Sequence, residues 1–278
     1  MSASVLIVGC GDLGLEVARR LRHSDFDVTG VRRSNQDLPE GARLIQADVT
    51  KPQTLVILAE TRPDILIYCV AANAHTDESY REQYVDGLRN TLAALNELKS
   101  LRHIFFVSST GVYGQQTDAF LDETSPAIAA DFTGERMLEA EALLQGYPAT
   151  ILRFSGIYGP GRTRMIQLAK TPAQWPTRNG WTNRIHRDDG AAFIVYLIQR
   201  LGEGKAPEKL YLVTDTQPIT QYALLNWLAK QQGVDASEVI VPPIQGNKRL
   251  DNSLMLSTGF KFTYPDYQAG YAQLLSLT

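Results

Sequence analysis

The amino-acid sequence predicts an α/β fold built on a doubly wound parallel sheet, and three observations carry that prediction. Apolar runs without polar alternation, beginning with Val5, Leu6, Ile7 and Val8, have the character of strands covered on both faces. Such runs alternate with helix-period segments through about residue 155, as βαβ units do. Between the first run and the first helix stands G-x-G-x-x-G at Gly9, Gly11 and Gly14, and a second strand, FDVTGV, follows where a βαβ unit requires it.

Each glycine of the first turn has its own reason. Gly9 permits the sharp turn, Gly11 leaves room for a pyrophosphate to approach the backbone, and Gly14 lets the new helix pack on the strand. That helix opens with unpaired N–H groups and the positive end of its dipole, which attract an anion. Gly9, Cys10, Gly11, Asp12, Leu13 and Gly14 are therefore expected to cradle a dinucleotide. Leu15, Val17, Ala18 and Leu21 give the helix its apolar face.

Arg32 and Arg33 follow the second strand, where an acidic residue would accept hydrogen bonds from the ribose 2′-OH of NAD. Guanidinium groups there suit a 2′-phosphate instead, so NADP is favoured, with NAD as the alternative. The third strand, ARLIQADVT, brings Asp48 and Val49, with Asp48 placed to meet the adenine amino group. The fourth, DILIYCV, ends in Ala71 and Ala72, small enough to clear a cofactor ribose. A helix from about Ser79 to Lys99 then carries Val85, Leu88, Leu92, Leu95 and Leu98 at core spacing.

The composition excludes several classes. With 278 residues, 44% hydrophobic, 21% charged and a formal net charge of −3, the chain has no basic excess to advertise a nucleic acid or an anionic membrane as partner. No apolar run approaches the ~18 residues of a membrane span, and the N-terminus enters the first strand without a charged leader, so a cytoplasmic location is expected. Cys10 and Cys69 do not make a disulfide framework, and Cys10 reads as a small buried residue. His23, His75, His103 and His186 show no metal-ligand spacing, so no metal is expected.

The fifth strand, HIFFVSST, leads into Ser108, Ser109, Thr110, Gly111, Val112, Tyr113 and Gly114. With GCGDLG, ADV, VSSTGVYG, LRFSGIYGPGR and IHRDD in that order, the chain resembles the extended short-chain dehydrogenase/reductases, the NAD-dependent epimerase/dehydratase group. The resemblance implies a Rossmann domain over 1–155 and a smaller, mainly substrate-side lobe over 156–278, with elements returning to the sheet. It assigns Ser109 as the active-site hydroxyl that hydrogen-bonds the reacting oxygen. It also implies a homodimer paired through the helices after the fourth and fifth strands.

One departure matters most. The family's acid/base is a tyrosine in Y-x-x-x-K, but TGERMLEAEALL places Thr133 and Met137 there, or Phe132 and Arg136 one residue earlier. Neither register contains a phenol, and a threonine alcohol is too weak an acid without a strong base beside it. Tyr113 and Tyr158 are the nearest phenols by motif, with ring packing as their default role. The arginine that the family sets three residues before the Ile-His pair is Thr182 here, which departs from its nucleotide-sugar diphosphate clamp. Arg162, Arg184 and Arg249 still make an anionic small-molecule substrate the expectation. Asp188 and Asp189 read as the cap and dipole partners of the next helix. Two readings stand: an atypical NADP-linked epimerase/dehydratase or oxidoreductase acting on a small anionic or sugar-like substrate, and a non-enzymatic NADP-binding sensor.

Overall fold

The computed structural model describes residues 3–24, 26–35, 37–95 and 100–276. The first apolar run forms β1 (Ser4–Val8), followed by α1 (Asp12–Arg22), β2 (Asp27–Arg32) and β3 (Arg43–Gln46). Pro52 opens α2 (Pro52–Leu55), which tightens into a 3-10 turn over Val56–Thr61 before β4 (Ile65–Tyr68). Next come α3 (Asp77–Tyr80), α4 (Gly87–Leu95), β5 (His103–Ser109), β6 (Phe120–Leu121) and α5 (Phe132–Ala142). The C-terminal half adds β7 (Ala149–Phe154), β8 (Gly156–Tyr158), α6 (Arg164–Ala169), β9 (Trp181–Thr182), β10 (Arg184–His186) and α7 (Arg187–Gly202). It ends with β11 (Leu210–Val213), β12 (Ile219–Thr220), α8 (Gln221–Gln231), β13 (Arg249–Leu250), α9 (Ser253–Ser257) and α10 (Tyr267–Ser276).

Seven strands form one sheet in the order β11-β7-β5-β4-β1-β2-β3. β1 pairs in parallel with both β2 and β4, in registers that set Val5 opposite Val28 and Ile65. β4 and β5 continue the parallel ladder, Tyr68 opposite Phe106. Val5, Leu6, Ile7, Val8, Leu66 and Ile67 are fully buried, as their unbroken apolar character requires. The chain runs outward through β2 and β3 and then crosses back to β4, so the order reverses beside β1. In such sheets the carboxyl ends of the strands at that switch point are where ligands bind.

The helix expected over 79–99 differs from the one observed. It begins at Asp77, with the Thr76 hydroxyl accepting the Ser79 amide at 3.2 Å. It then widens into a π-helical turn over Arg81–Asp86, and there the Tyr68 hydroxyl donates to the Gln83 carbonyl at 2.5 Å. Val85, Leu88, Leu92 and Leu95 are buried as core, while Leu98 lies outside the described residues.

Two compact units divide the chain: 1–113, 127–153 and 191–211 in one, and 114–126, 154–190 and 212–278 in the other. The second unit has its own core, in which Tyr158, Ile166, Trp175, Leu224, Leu225, Leu228, Tyr271 and Leu274 pack together. It also contains three two-stranded pairs: β8 with β10 and β6 with β13, both parallel, and β9 with β12, antiparallel. Strands of two or three residues carry no readable period, which is why the sequence did not announce them. Among the described residues no helix is long and apolar enough to cross a membrane.

Candidate functional site

The glycine turn is built against two strand ends of the first unit. The amides of Gly9 and Cys10 donate to the Val31 carbonyl at 3.1 and 3.0 Å, tying the turn to the end of β2. Gly9 has φ +92°, and a Cβ there would stand 2.5 Å from the Val70 nitrogen, so the position excludes any side chain. A Cβ on Gly14 would stand 2.7 Å from the Gly9 carbonyl oxygen, which explains the close seat of α1. Gly11 is different: the nearest atom to its Cβ would be 4.0 Å away. Its bareness keeps open space in front of the turn and serves no packing within the chain.

The other residues expected to hold a dinucleotide end or follow β2, β3 and β4. Gly11 caps α1 without a side-chain hydrogen bond, so the first-turn N–H groups carry no side-chain cap. Arg32 ends β2 with one guanidinium nitrogen on the Ser34 hydroxyl at 3.2 Å, while its Nε is buried and makes no hydrogen bond. Asp48 accepts the Thr50 amide and hydroxyl at 3.0 and 2.8 Å. Burial opposes the ionised form of Asp48, but the two Thr50 bonds, with Lys51 and Arg33, hold its carboxyl below the ordinary value. Val49 is buried and its carbonyl accepts the Asn90 amide group at 2.9 Å. The Ala72 amide donates to the Tyr84 hydroxyl at 3.3 Å. Cys10 is fully buried and its thiol is pushed up to about 11, chiefly by desolvation, so it is no reactive nucleophile.

Ser109 ends β5, and its hydroxyl accepts the Gly111 amide at 3.0 Å, which leaves the hydroxyl proton for another acceptor. Beyond it α5 begins at Phe132, capped by Asp131. The Thr133 hydroxyl donates to Asp131 Oδ1 at 2.5 Å, so a carboxylate does stand beside the threonine. Met137 is buried in the core. In the alternative register Arg136 is committed to Asp77 at 2.7 Å and Glu139 at 2.8 Å.

The phenols considered as substitutes are structural. Tyr113 is fully buried, with its hydroxyl accepting an Arg153 N–H at 2.6 Å and the guanidinium 4.9 Å from its ring centroid. Arg153 also grips Glu141 through two bonds at 2.6 and 3.0 Å, and the Ser108 hydroxyl donates to Glu141 at 2.6 Å. The sequence reading missed Glu141; its one signal was a carboxylate on the face of α5 that also carries Met137. Tyr158 is buried against Tyr271 at 4.4 Å, donates to the Asp266 carbonyl at 3.2 Å, and has its hydroxyl pushed well up by desolvation.

The arginines expected at a substrate all fall in the second unit. Arg162 is exposed. Arg184 donates to the Tyr271 hydroxyl at 3.4 Å, and its Nε is buried without a hydrogen bond. Arg249 donates to the Asp118 carbonyl and is held between aromatic faces, 4.5 Å from the Phe120 centroid and 5.0 Å from Trp181. Asp188 and Asp189 stand in the first turn of α7, as dipole partners do, and the Asp189 oxygens also accept the Thr263 and Tyr264 amides at 2.9 and 2.7 Å, fastening a distant loop. Among the described residues no three His, Cys, Asp or Glu side chains gather as metal ligands.

Residues 5–213 match the model of the NAD dependent epimerase/dehydratase family. The chain belongs to this family. A solved structure from Methylobacillus flagellatus, assigned to the same epimerase/dehydratase class, is 57% identical, with a TM-score of 0.92 over 100% of this chain and 99% of the other. The Thermus thermophilus UDP-glucose 4-epimerase, solved with NAD, shares the fold at a TM-score of 0.76 and 17% identity, covering 96% of each chain. Among curated relatives, the human dTDP-D-glucose 4,6-dehydratase is 28% identical over 130 residues, 42% of this chain and 37% of that protein. The UDP-glucose 4-epimerase of Mycoplasma genitalium is 27% identical over 117 residues, 37% of this chain and 34% of its own. These curated matches thus span little more than a third of the relatives' length. Within the family frame, the open space at Gly11 and the unbonded Nε of Arg32 fit a dinucleotide.

Proposed function

We propose that this protein is an NADP-linked enzyme of the epimerase/dehydratase type, performing oxidoreduction or redox-coupled isomerisation on a small, anionic or sugar-like substrate. The observation that carries the reading is the glycine turn itself: Gly11 is bare toward open space, and the buried, unbonded Nε of Arg32 stands at the end of the adjoining strand. In this reading Gly9, Cys10, Gly11, Asp12, Leu13 and Gly14 hold the pyrophosphate, and Arg32 with Arg33 holds the ribose 2′-phosphate. Asp48, Val49, Ala71 and Ala72 border the adenosine. A bound nicotinamide dinucleotide supplies or accepts a hydride at the substrate carbon. Ser109 donates its free hydroxyl proton to the reacting oxygen and orients it.

The two curated relatives and the Thermus thermophilus protein are, by name, enzymes of nucleotide-linked sugars, which supports a sugar-like substrate. Arg162, Arg184 and Arg249 supply positive charge for an anionic group, with Arg249 already stiffened by its aromatic neighbours. A second reading is favoured by Met137, a buried thioether, if the register that aligns it with the family's lysine is taken. In it the chain binds NADP and reports the cofactor's state to a partner without turnover. The reading also includes a homodimer formed through Asp77–Leu95 and α5, which sedimentation equilibrium checks.

The test pairs binding with turnover. Replacing Arg32 and Arg33 by alanine is expected to weaken NADPH binding about ten- to a hundredfold, the equivalent of ~1.5–3 kcal/mol for one charge-assisted bond, and to leave NADH unchanged. Turnover of any aldehyde, ketone or sugar nucleotide by the wild type removes the sensor reading. Equal loss for both dinucleotides in the double variant removes the 2′-phosphate assignment.

A further inference from the structure

The structure offers an acid/base group beside the helix start that lacks the family's tyrosine. The segment after β4 leaves the sheet next to β5, whose own end carries Ser109. On that segment His75 is exposed. Its imidazole centroid lies 5.3 Å from the ring of Phe132, the first residue of α5, and 5.9 Å from Tyr80 of α3. Phe132 and Tyr80 meet each other edge to face at 5.5 Å, so the imidazole rests on an aromatic pair.

The Asp131 carboxylate is the anion of this corner. Its carboxyl is held below the ordinary value first by the Thr133 hydroxyl, then by the Gly134 and Thr133 amides, with a His75 cation acting in the same direction. Three other ionisable groups of this corner are accounted for. Arg136 and Asp77 neutralise each other at 2.7 Å, and burial, with Asp131, raises the Tyr80 phenol. The same turn of α5 also reaches Ser109: a Cβ on Gly134 would stand 3.0 Å from the Gly111 carbonyl, and the Gly111 amide is bonded to Ser109 Oγ. Ser109 and His75 therefore flank one helix start. Histidine is the side chain that ordinarily gains and loses a proton near neutrality.

We infer that His75 is the proton carrier of this site, exchanging a proton with the alcohol or carbonyl oxygen of the substrate while Asp131 stabilises the imidazolium. When an alcohol is oxidised, its O–H proton would pass to the neutral imidazole while a bound oxidised nicotinamide would take up the C–H electron pair as hydride, and reduction would return both. The inference rests on the dinucleotide reading above and adds a residue that the tyrosine pattern does not supply.

The test needs no substrate. NMR titration of the imidazoles, of which the chain has four, is run on the NADP⁺ and NADPH complexes, with His75→Gln identifying the His75 signal. The nicotinamide ring is positive only when oxidised, so an imidazole that faces it is expected to hold its proton less firmly in the NADP⁺ complex than in the NADPH complex. Asp131→Asn, which keeps the helix cap, is expected to loosen that hold further in both complexes. His103, buried against Thr150 at 2.9 Å, is the internal reference that stays put. An identical His75 pKa in both complexes, with both dinucleotides bound, overturns the inference and leaves the cofactor reading standing. Failure of either dinucleotide to bind overturns both.

Discussion

Gly9 and Gly11 lie two residues apart and are bare for opposite reasons, which separates folding from binding at single-residue resolution. Alanine at Gly9 meets backbone at 2.5 Å and must hold φ +92°, so it is expected to cost the fold on the order of 1–3 kcal/mol, seen as a lowered Tm. Alanine at Gly11 meets nothing nearer than 4.0 Å, so Tm is expected to stay within a degree or two while NADPH affinity falls. A Gly11→Ala protein that binds NADPH as the wild type does would remove the pyrophosphate from this turn. Both glycines were legible in the sequence because a motif with a mechanism fixes them. Glu141 was not, because a buried carboxylate on a helix looks like any surface glutamate until its arginine is known. The Asp131–His75 corner was hidden for a related reason. Its members sit on segments joined only by the fold.

At the scale of the element, α5 is held in place at both of its ends. Its start is fastened by Asp131, which accepts the Thr133 and Gly134 amides at 2.9 and 3.4 Å, and its end by the Glu141–Arg153 pair. Asp131→Ala is expected to cost ~1 kcal/mol of stability, and Asp131→Asn a few tenths at most, both read by urea unfolding. Arg153→Ala leaves Glu141 buried without its cation and strips the hydroxyl of Tyr113 of its donor. The expected loss is about 3–5 kcal/mol, because removing one partner of a buried pair strands the other's charge. A loss below ~1 kcal/mol would mean that the pair is hydrated in solution. The helix itself was expected after the fifth strand from the family resemblance. Its neighbour over Asp77–Leu95 was visible too, but its π turn was not, since nothing in local propensity encodes the hydroxyl that Tyr68 sends across to Gln83.

For the whole molecule, legibility follows from periodicity. The parallel sheet was readable because β1, β4 and β5 are buried on both faces and bounded by turns or helices. The second unit was mostly unreadable, because its strands are two or three residues long and its order depends on tertiary bonds such as Asp189 to the Thr263 and Tyr264 amides. That unit also contains a titrating liability. Asp215 is buried, one carboxylate oxygen makes no hydrogen bond, and its carboxyl is pushed up to about 8 by desolvation, with Asp266 and Asp189 adding to the effect. The folded protein then holds a proton that the unfolded chain, at an ordinary carboxyl value near 4, has released. Stability from this group is therefore complete below about pH 4 and is lost as pH rises toward about 8, by at most ~1.4 kcal/mol per pH unit. Asp215→Asn is expected to flatten that slope, which denaturant unfolding at pH 5 and pH 8 checks. An unchanged slope would mean that Arg184 keeps the carboxylate ionised.

The central claim is that the glycine turn and Arg32 make an NADP site, and isothermal titration calorimetry of dinucleotide-free protein tests it most directly. With NADPH and NADH titrated at the same fixed salt, NADPH is predicted to bind at least about tenfold more tightly, the worth of one charge-assisted phosphate bond. Binding of NADH as tight as that of NADPH would contradict the role given to Arg32, and binding of neither would contradict the cradle itself.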